Sequence, residues 1–304
     1  MLISILICTR NRPEKLRRTL EAICELEVPS GAEYEVLVME NGPESAATAD
    51  ACEELESVFG GRLQRFHLPV SGKSSAANSG FAISRGEIIS FLDDDILPRK
   101  DWLSVIFQEF DSDSDLAAIS GPVELLTKDD LPIAIRRHEV RAVFSCVTDA
   151  YNLFIGCNFA VRRAMVEKIG LFDPNLGPGR PIDTNEDVDF FYRAWRTGQK
   201  LVYVPSLYVY HGHGRRFHHE EIDIKRAYTV GRGAFFAKHV LDGDAALTRT
   251  IRWEIQSEIR NFFHGEVASL RRLGWLASGF LRYSFIRGSQ AIRLSTAPAA
   301  SRLG

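Results

Sequence analysis

Residues 88–95 read Ile-Ile-Ser-Phe-Leu-Asp-Asp-Asp, an apolar strand-like run that ends in three consecutive carboxylates. Adjacent anions repel one another unless positive charge sits among them. A hard divalent cation prefers oxygen ligands and often holds substrate phosphates too, so Asp93, Asp94 and Asp95 point to a metal–phosphate site. The competing reading is a solvated acidic turn closed by Pro98.

The elements that would position such a cluster follow from apolar periodicity. Residues 2–8 read as a buried strand and Thr9-Arg10-Asn11-Arg12 as a polar loop. Pro13, with Leu16, Leu20 and Ile23 at helical spacing, opens a helix. Residues 34–39 predict a second strand ending in Glu40-Asn41-Gly42, residues 63–68 a third, 74–84 a helix and 88–92 a further strand. This alternation predicts an α/β fold with a mostly parallel sheet covered on both faces. Ligands of such sheets collect beyond the carboxyl ends of the strands, so the polar clusters at 9–12, 40–42 and 93–95 should converge at one rim. In the second half, 117–120 and 154–160 read as strands, 163–169 as a short helix, 177–181 as a Gly/Pro loop and 186–197 as a helix. Residues 200–204 lead through Pro205 to an apolar segment at 207–210, and 220–295 read as helical.

Charge is divided unevenly along the 304 residues. Residues 1–214 carry 22 Lys/Arg against 32 Asp/Glu, a net of −10, and 215–304 carry 15 against 8, a net of +7. An acidic, metal-seeking body with a basic tail is expected, and the total of −3 gives no reason to expect nucleic acid. The five cysteines contain no Cys-x-x-Cys pair, which excludes a zinc knuckle and fits a reducing, cytoplasmic compartment. The first apolar run is only strand length, so no signal peptide is predicted, and no run approaches the roughly 18 residues of a membrane span.

The ordered segments Ile-Leu-Ile-Cys-Thr-Arg-Asn-Arg (5–12), Val-Met-Glu-Asn-Gly (38–42), Gly-Lys-Ser-Ser-Ala-Ala-Asn-Ser-Gly (72–80) and Phe-Leu-Asp-Asp-Asp (91–95) resemble the family 2 glycosyltransferases of GT-A fold. Gly156-Cys157-Asn158, Ile169-Gly170-Leu171-Phe172-Asp173 and Asn185-Glu186-Asp187 continue the resemblance, which runs from residue 2 to about residue 214. It implies a Rossmann-like nucleotide-sugar-binding half at 1–97, an acceptor-binding half at 98–214 and a basic helical extension at 215–304. The implied activity is a non-processive, inverting transfer of one sugar from a nucleoside diphosphate sugar to an acceptor hydroxyl. UDP is the expected nucleotide, with dTDP and GDP open. The acceptor would be a glycan, a lipid-linked molecule or a small molecule.

The resemblance also assigns roles. Asp95 would ligate Mn2+ or Mg2+ together with His211, while Asp93 and Asp94 contact ribose or metal-bound water. Thr9, Arg10, Asn11 and Arg12 would line the nucleotide cleft, with arginine able to pair with phosphate oxygens. Glu40 stands where the family more often has Asp and would accept from the base's ring N–H. Lys73 would sit near the base or the diphosphate. Asp187 is the implied general base, since an acceptor hydroxyl attacks well only when a positioned group takes its proton. Glu186 is the alternative. Asn158 resembles an acceptor-side polar residue, and Trp195 is a candidate for stacking on sugar or for the core. Trp102 reads as core, and Asp189 as a helix-surface charge. The histidine- and arginine-rich stretch 211–219 reads as a flexible cationic loop that either folds His213, Arg215 or Arg216 over the diphosphate or stays solvated.

In the tail, Leu270, Leu273, Leu276, Phe280, Leu281, Phe285 and Ile292 share one helical face, and Arg271, Arg272, Arg282, Arg287 and Arg293 the other. Such a helix either packs on the body or on a dimer partner, or lies on the inner face of a membrane. The absence of a Gln-x-x-Arg-Trp motif argues against a processive synthase. The rival readings are a catalytically inactive nucleotide-sugar-binding module and a sugar-nucleotide pyrophosphorylase. The latter would need a Gly-rich loop with an Arg after the first strand, and residues 9–13 are not that loop.

Overall fold

The structure is a computed structural model that describes residues 1–296, with side chains to residue 290. Ile292 and Arg293 of the predicted helical faces lie outside the described side chains. The chain divides into two compact units, Met1–Pro181 with Glu186–Glu221, and Ile182–Asn185 with the residues from Ile222 onward.

The first unit is built on an eight-stranded sheet. Strands β1 (Leu2–Thr9), β2 (Glu33–Asn41), β3 (Leu63–Leu68) and β4 (Ile88–Asp93) lie parallel in the order β3-β2-β1-β4. Their crossovers are helices α1 (Pro13–Cys24), α2 (Ala46–Phe59) and α3 (Lys73–Ile83). Helix α1 starts at Pro13, whose missing N–H costs nothing there, and buries Leu16, Leu20 and Ile23 at the predicted spacing. A Cβ on Gly80 of α3 would meet Met39 and Leu6 at 3.0–3.3 Å, so this helix lies close on the sheet. Ser45 caps α2 by accepting from Thr48 N, and Gly60 ends it in the left-handed region.

Beyond β4 the direction changes. β5 (Ile96–Pro98) leaves the main sheet and α4 (Trp102–Ser112) follows, then β6 (Leu116–Ser120), β7 (Val123–Leu125), β8 (Ala142–Val143) and the short α5 (Asp149–Asn152). β9 (Asn158–Arg162) pairs antiparallel with both β4 and β6, and α6 (Arg163–Ile169) and α7 (Glu186–Arg196) precede β10 (Lys200–Tyr203), parallel to β6. β11 (Val209–His211) joins β5 and β7 in a separate three-stranded sheet. The strand expected at 154–160 begins only at Asn158. Phe154, Ile155 and Cys157 are buried from a turn, and apolarity alone does not separate that from a strand.

The second unit is helical: α8 (His218–Leu241), whose first residues belong to the first unit, α9 (Ala246–Phe263) and α10 (Ala268–Thr296). A Cβ on Gly233 would collide with the Leu276 carbonyl, and one on Gly279 with that of Val230, so α8 and α10 approach backbone to backbone. Arg232 pairs with Glu254 at 3.0 Å and Arg272 with Glu258 at 2.8 Å, tying α9 to both. No helix among the described residues is long and apolar enough to cross a membrane.

Candidate active site

Strand register brings the polar clusters to one level. Thr9 lies opposite Glu40 across β1 and β2, and Cys8 opposite Asp93 across β1 and β4. Asn41, which the sequence reading did not single out, ties three segments there: its Nδ2 donates to Thr9 O at 2.9 Å and its Oδ1 accepts from Gly72 N at 2.9 Å.

The three consecutive carboxylates occupy three different environments. Asp93 Oδ1 lies 2.5 Å from Lys73 Nζ. Asp94 is buried; it accepts from Thr9 Oγ1 at 2.7 Å and from Arg12 Nη1 at 3.1 Å, and its carbonyl accepts from Thr19 Oγ1 at 2.9 Å. Burial, with the charges of Asp95 and Asp93, lifts its pKa to about 6 against the opposing pull of Arg12 and Thr9. Asp95 faces His211 Nε2 at 3.2 Å through Oδ1, and Lys15 Nζ at 3.1 Å and Arg12 Nη1 at 3.4 Å through Oδ2. Burial would raise Asp95, but the bond from His211 and the charges around it hold it well below the usual carboxylate range.

His211 reaches Asp95 because β11 pairs with β5: His211 lies opposite Ile96, the residue after Asp95. Lys15, in the first turn of α1, also donates to the carbonyls of Gly212 and His213 at 3.1 and 3.0 Å. No sequence signal marks Lys15 beyond its place one turn after the polar loop. Asn11, exposed with φ of 53°, provides the left-handed step from β1 into α1. Arg10 is exposed, with its side chain beside Gly42 and Gly179.

A second cluster adjoins the first. Lys73 Nζ stands 3.9 Å from Glu186 Oε1 and 3.4 Å from the Gly156 carbonyl. Burial and the neighbouring Asp187 push Glu186 up to about 8, with Lys73 opposing. Asp187 accepts from Gly156 N at 2.7 Å through Oδ2 and from Val188 N at 2.8 Å through Oδ1. Both acids lie in the first turn of α7, where the helix dipole favours negative charge. Aromatic contacts fix that helix: Phe172 stacks on Phe190 at 4.4 Å, Phe154 lies tilted against Phe191 at 4.4 Å, and Phe159 meets Phe191 edge-on at 5.0 Å. A recess lined by Ala77, Phe91, Phe159, Phe172, Glu186 and Asp187 lies between helix and sheet. The Gly/Pro loop is latched beside it. Lys73 N donates to Pro178 O at 3.0 Å, Ser74 Oγ to Leu176 O at 2.5 Å and Arg180 Nη1 to Ser71 O at 3.1 Å.

Several expected residues are placed elsewhere. Glu40 is fully buried, and its oxygens accept from Arg65 Nη1 at 2.6 Å and Ser45 N at 3.1 Å. The longer side chain meets Arg65 on β3 instead of facing the open rim, and the sequence reading missed Arg65. Asn158 is also fully buried; it accepts from Trp102 Nε1 at 3.0 Å and donates to Pro122 O and Leu207 O at 3.1 and 2.8 Å, which leaves its amide no free group for an acceptor. Trp195 packs against Phe144 and Tyr192, on the core side of its two readings. Asp189 is not a surface charge: it is buried and paired with Arg193 at 2.9 Å. The stretch after His211 is pinned, since Asp130 accepts from Gly214 N at 3.0 Å and from Arg216 Nε at 3.3 Å.

A parallel β1–β4 half joined to a mixed half, with acidic strand ends meeting at one rim, is the GT-A glycosyltransferase fold. The chain belongs to glycosyl transferase family 2, whose model matches residues 4–170. It is similar to the succinoglycan biosynthesis protein ExoM of Rhizobium meliloti (strain 1021), at 29% identity over 68% of this chain and 66% of that protein. A pre-mycofactocin glycosyltransferase of Mycobacterium tuberculosis (strain ATCC 25618 / H37Rv) matches at 26% identity over 69% of this chain and 43% of its own length. In both, the match spans less than two thirds of the relative. Among solved structures, the Pyrobaculum calidifontis mannosyltransferase PcManGT in complex with GDP-Man and Mn2+ superposes with TM-score 0.63 at 18% identity, covering 96% of this chain and 80% of that one. S. aureus TarS 1-349 superposes with TM-score 0.58 at 15% identity, covering 96% and 91%.

Proposed function

We propose that the protein is an inverting, divalent-metal-dependent transferase that moves one sugar from a nucleoside diphosphate sugar to an acceptor hydroxyl. The observation that carries this reading is the pairing of two clusters on one rim, Asp95 with His211 and Glu186 with Asp187. Asp95 Oδ1 and His211 Nε2 are 3.2 Å apart, close to the roughly 3 Å between neighbouring ligands of an octahedral ion bound at about 2.1 Å. One oxygen and one imidazole suit Mn2+ in particular. The described residues hold no cluster of three or more His, Cys, Asp or Glu able to bind a metal, so diphosphate and water would complete the shell. A bound cation would supply Lewis-acid neutralisation of the departing diphosphate.

The chain's own groups do the rest. Arg12 and Lys15 add positive charge where the diphosphate is expected, and exposed Arg10 is free to pair with a phosphate oxygen. Asp187, held in place by the Gly156 and Val188 amides, keeps further lone pairs with which to take the acceptor's proton. Protonated Glu186 beside it keeps a second negative charge from crowding that step. The donor nucleotide is UDP, with dTDP and GDP the alternatives, and the acceptor is a glycan, lipid-linked or small-molecule hydroxyl.

Calorimetric titration of UDP, dTDP and GDP with Mn2+ and with chelator tests the reading. One nucleotide should bind in a metal-dependent way, and Asp95→Ala should abolish that dependence. Failure of every nucleotide to bind a folded chain would overturn the proposal, and binding without turnover would return a binding-only module.

A further inference from the structure

The turn between α9 and α10 exposes large apolar side chains from an ordered backbone. His264 N, Gly265 N and Glu266 N donate to the carbonyls of Arg260, Phe262 and Asn261 at 2.9–3.0 Å, and Gly265 takes φ of 94°. Phe263 and Val267 on either side of this turn are 79% and 72% exposed, so they are presented to solvent by a structured hairpin. From there α10 carries an apolar outward line. Leu270, Gly274, Ala277, Leu281 and Phe285 recur at steps of three and four, and all are exposed, Phe285 at 77%. A solvent-facing helix stripe is normally polar, and contiguous exposed apolar surface marks a contact site.

The charge around this line selects its partner. Residues 267–304 contain six arginines and no Asp or Glu. Arg271 and Arg282 are exposed along one edge of the stripe, and Arg271 lies over the Trp275 ring at 5.2 Å. The nearby acids Glu258 and Glu266 are paired with Arg272. A second copy laid on the stripe would bring arginines together with no acid on α10 to neutralise them. An anionic headgroup layer neutralises them and accepts the phenylalanines between its acyl chains.

We infer that the α9–α10 hairpin tip and the outer stripe of α10 dock on an anionic lipid bilayer surface. α10 lies in the plane of the interface, the tip enters it at Phe263 and Val267, and Arg271 and Arg282 meet the lipid phosphates. This contact is independent of the sugar-transfer reading, because none of these residues belongs to the candidate active site.

Co-sedimentation of the full chain with vesicles of phosphatidylcholine alone, and of phosphatidylcholine mixed with phosphatidylglycerol, tests it at low and high salt. Binding is expected only to the anionic vesicles and should weaken with salt. Phe263→Ser and Phe285→Ser should each weaken it by roughly tenfold or more, and Arg271→Gln and Arg282→Gln by about fivefold each. Thermal midpoint and nucleotide titration should not move in these variants. Should a serine variant lose its fold, the arginine pair still reads the proposal. Absence of binding to either vesicle, or equal binding to both without a salt effect, overturns it. So does a lipid-free dimer that Phe285→Ser dissociates, because the occupant would then be a second copy.

Discussion

Asp187→Asn separates the chemistry of the site from its architecture. The Asp187 carboxylate accepts two backbone N–H groups, from Gly156 at 2.7 Å and Val188 at 2.8 Å. An asparagine offers one oxygen in their place, so one amide must face the new NH2 group. Leaving a fully buried donor unpaired costs about 1–3 kcal/mol; these amides are partly buried, so the loss should lie toward the lower end of that range and lower the melting temperature by a few degrees. Loss of a general base costs about 10²–10⁴ in rate, or roughly 3–5.5 kcal/mol of barrier. Arg10, Arg12 and Lys15, the groups proposed to meet the diphosphate, lie outside the Asp187 cluster, so nucleotide affinity should stay within about threefold. Initial rates of nucleoside diphosphate release, calorimetry of the nucleotide and a thermal melt on the same preparation read the three quantities. Turnover within about threefold of the parent would refute the base assignment. Loss of nucleotide binding would make Asp187 structural. If Glu186→Gln instead carries the 10²–10⁴ loss, the proton goes to Glu186.

Three further outcomes follow from the geometry. Glu186 is lifted from 4.5 to about 8, so the folded chain holds a proton that the unfolded chain releases across that window, and stability falls as pH rises through it. Glu186→Gln should flatten the fall, read as the difference in urea midpoint between pH 5.5 and pH 8.5, and an unchanged difference would refute the burial argument. Arg65→Ala leaves Glu40 buried without its cation and should cost about 3–5 kcal/mol; Glu40→Gln in the same background should restore most of it, and absence of rescue would show that the pair does not matter. Lys15→Gln removes the ammonium 3.1 Å from Asp95, so Mn2+ alone should bind more tightly and Mn2+ with nucleotide more weakly, and a change of one sign in both titrations would contradict the placement.

Apolar runs made the first half of the fold legible. The buried strands β1, β2 and β4 each end where a polar cluster begins, so convergence at one rim followed from counting strands. Side-chain partners did not follow, because they depend on which strands become neighbours. Arg65 reaches Glu40 only because β3 lies beside β2, and His211 reaches Asp95 only because β11 pairs with β5. Asp189 and Asn158 were misplaced for a related reason: a polar residue in a motif looks available until its buried partners are known. Phe154 to Cys157 failed differently, since a buried turn and a buried strand share one composition.

Asn158 shows how a motif residue can bear on chemistry it never touches. Its amide joins the start of β9 to Trp102 of α4, to Pro122 just before β7 and to Leu207 just before β11. β11 in turn carries His211 to Asp95, and β9 lies antiparallel beside β4, the strand that delivers Asp93. An amide that supplies one acceptor and two donors in fixed directions holds both strands to a single register. A shift of β11 by one residue would turn His211 away from Asp95, because successive strand side chains face opposite ways. Asn158 therefore acts on the Asp95–His211 pair as a spacer between strands, which accounts for a fully buried polar side chain at a position that the family resemblance assigns to the acceptor side.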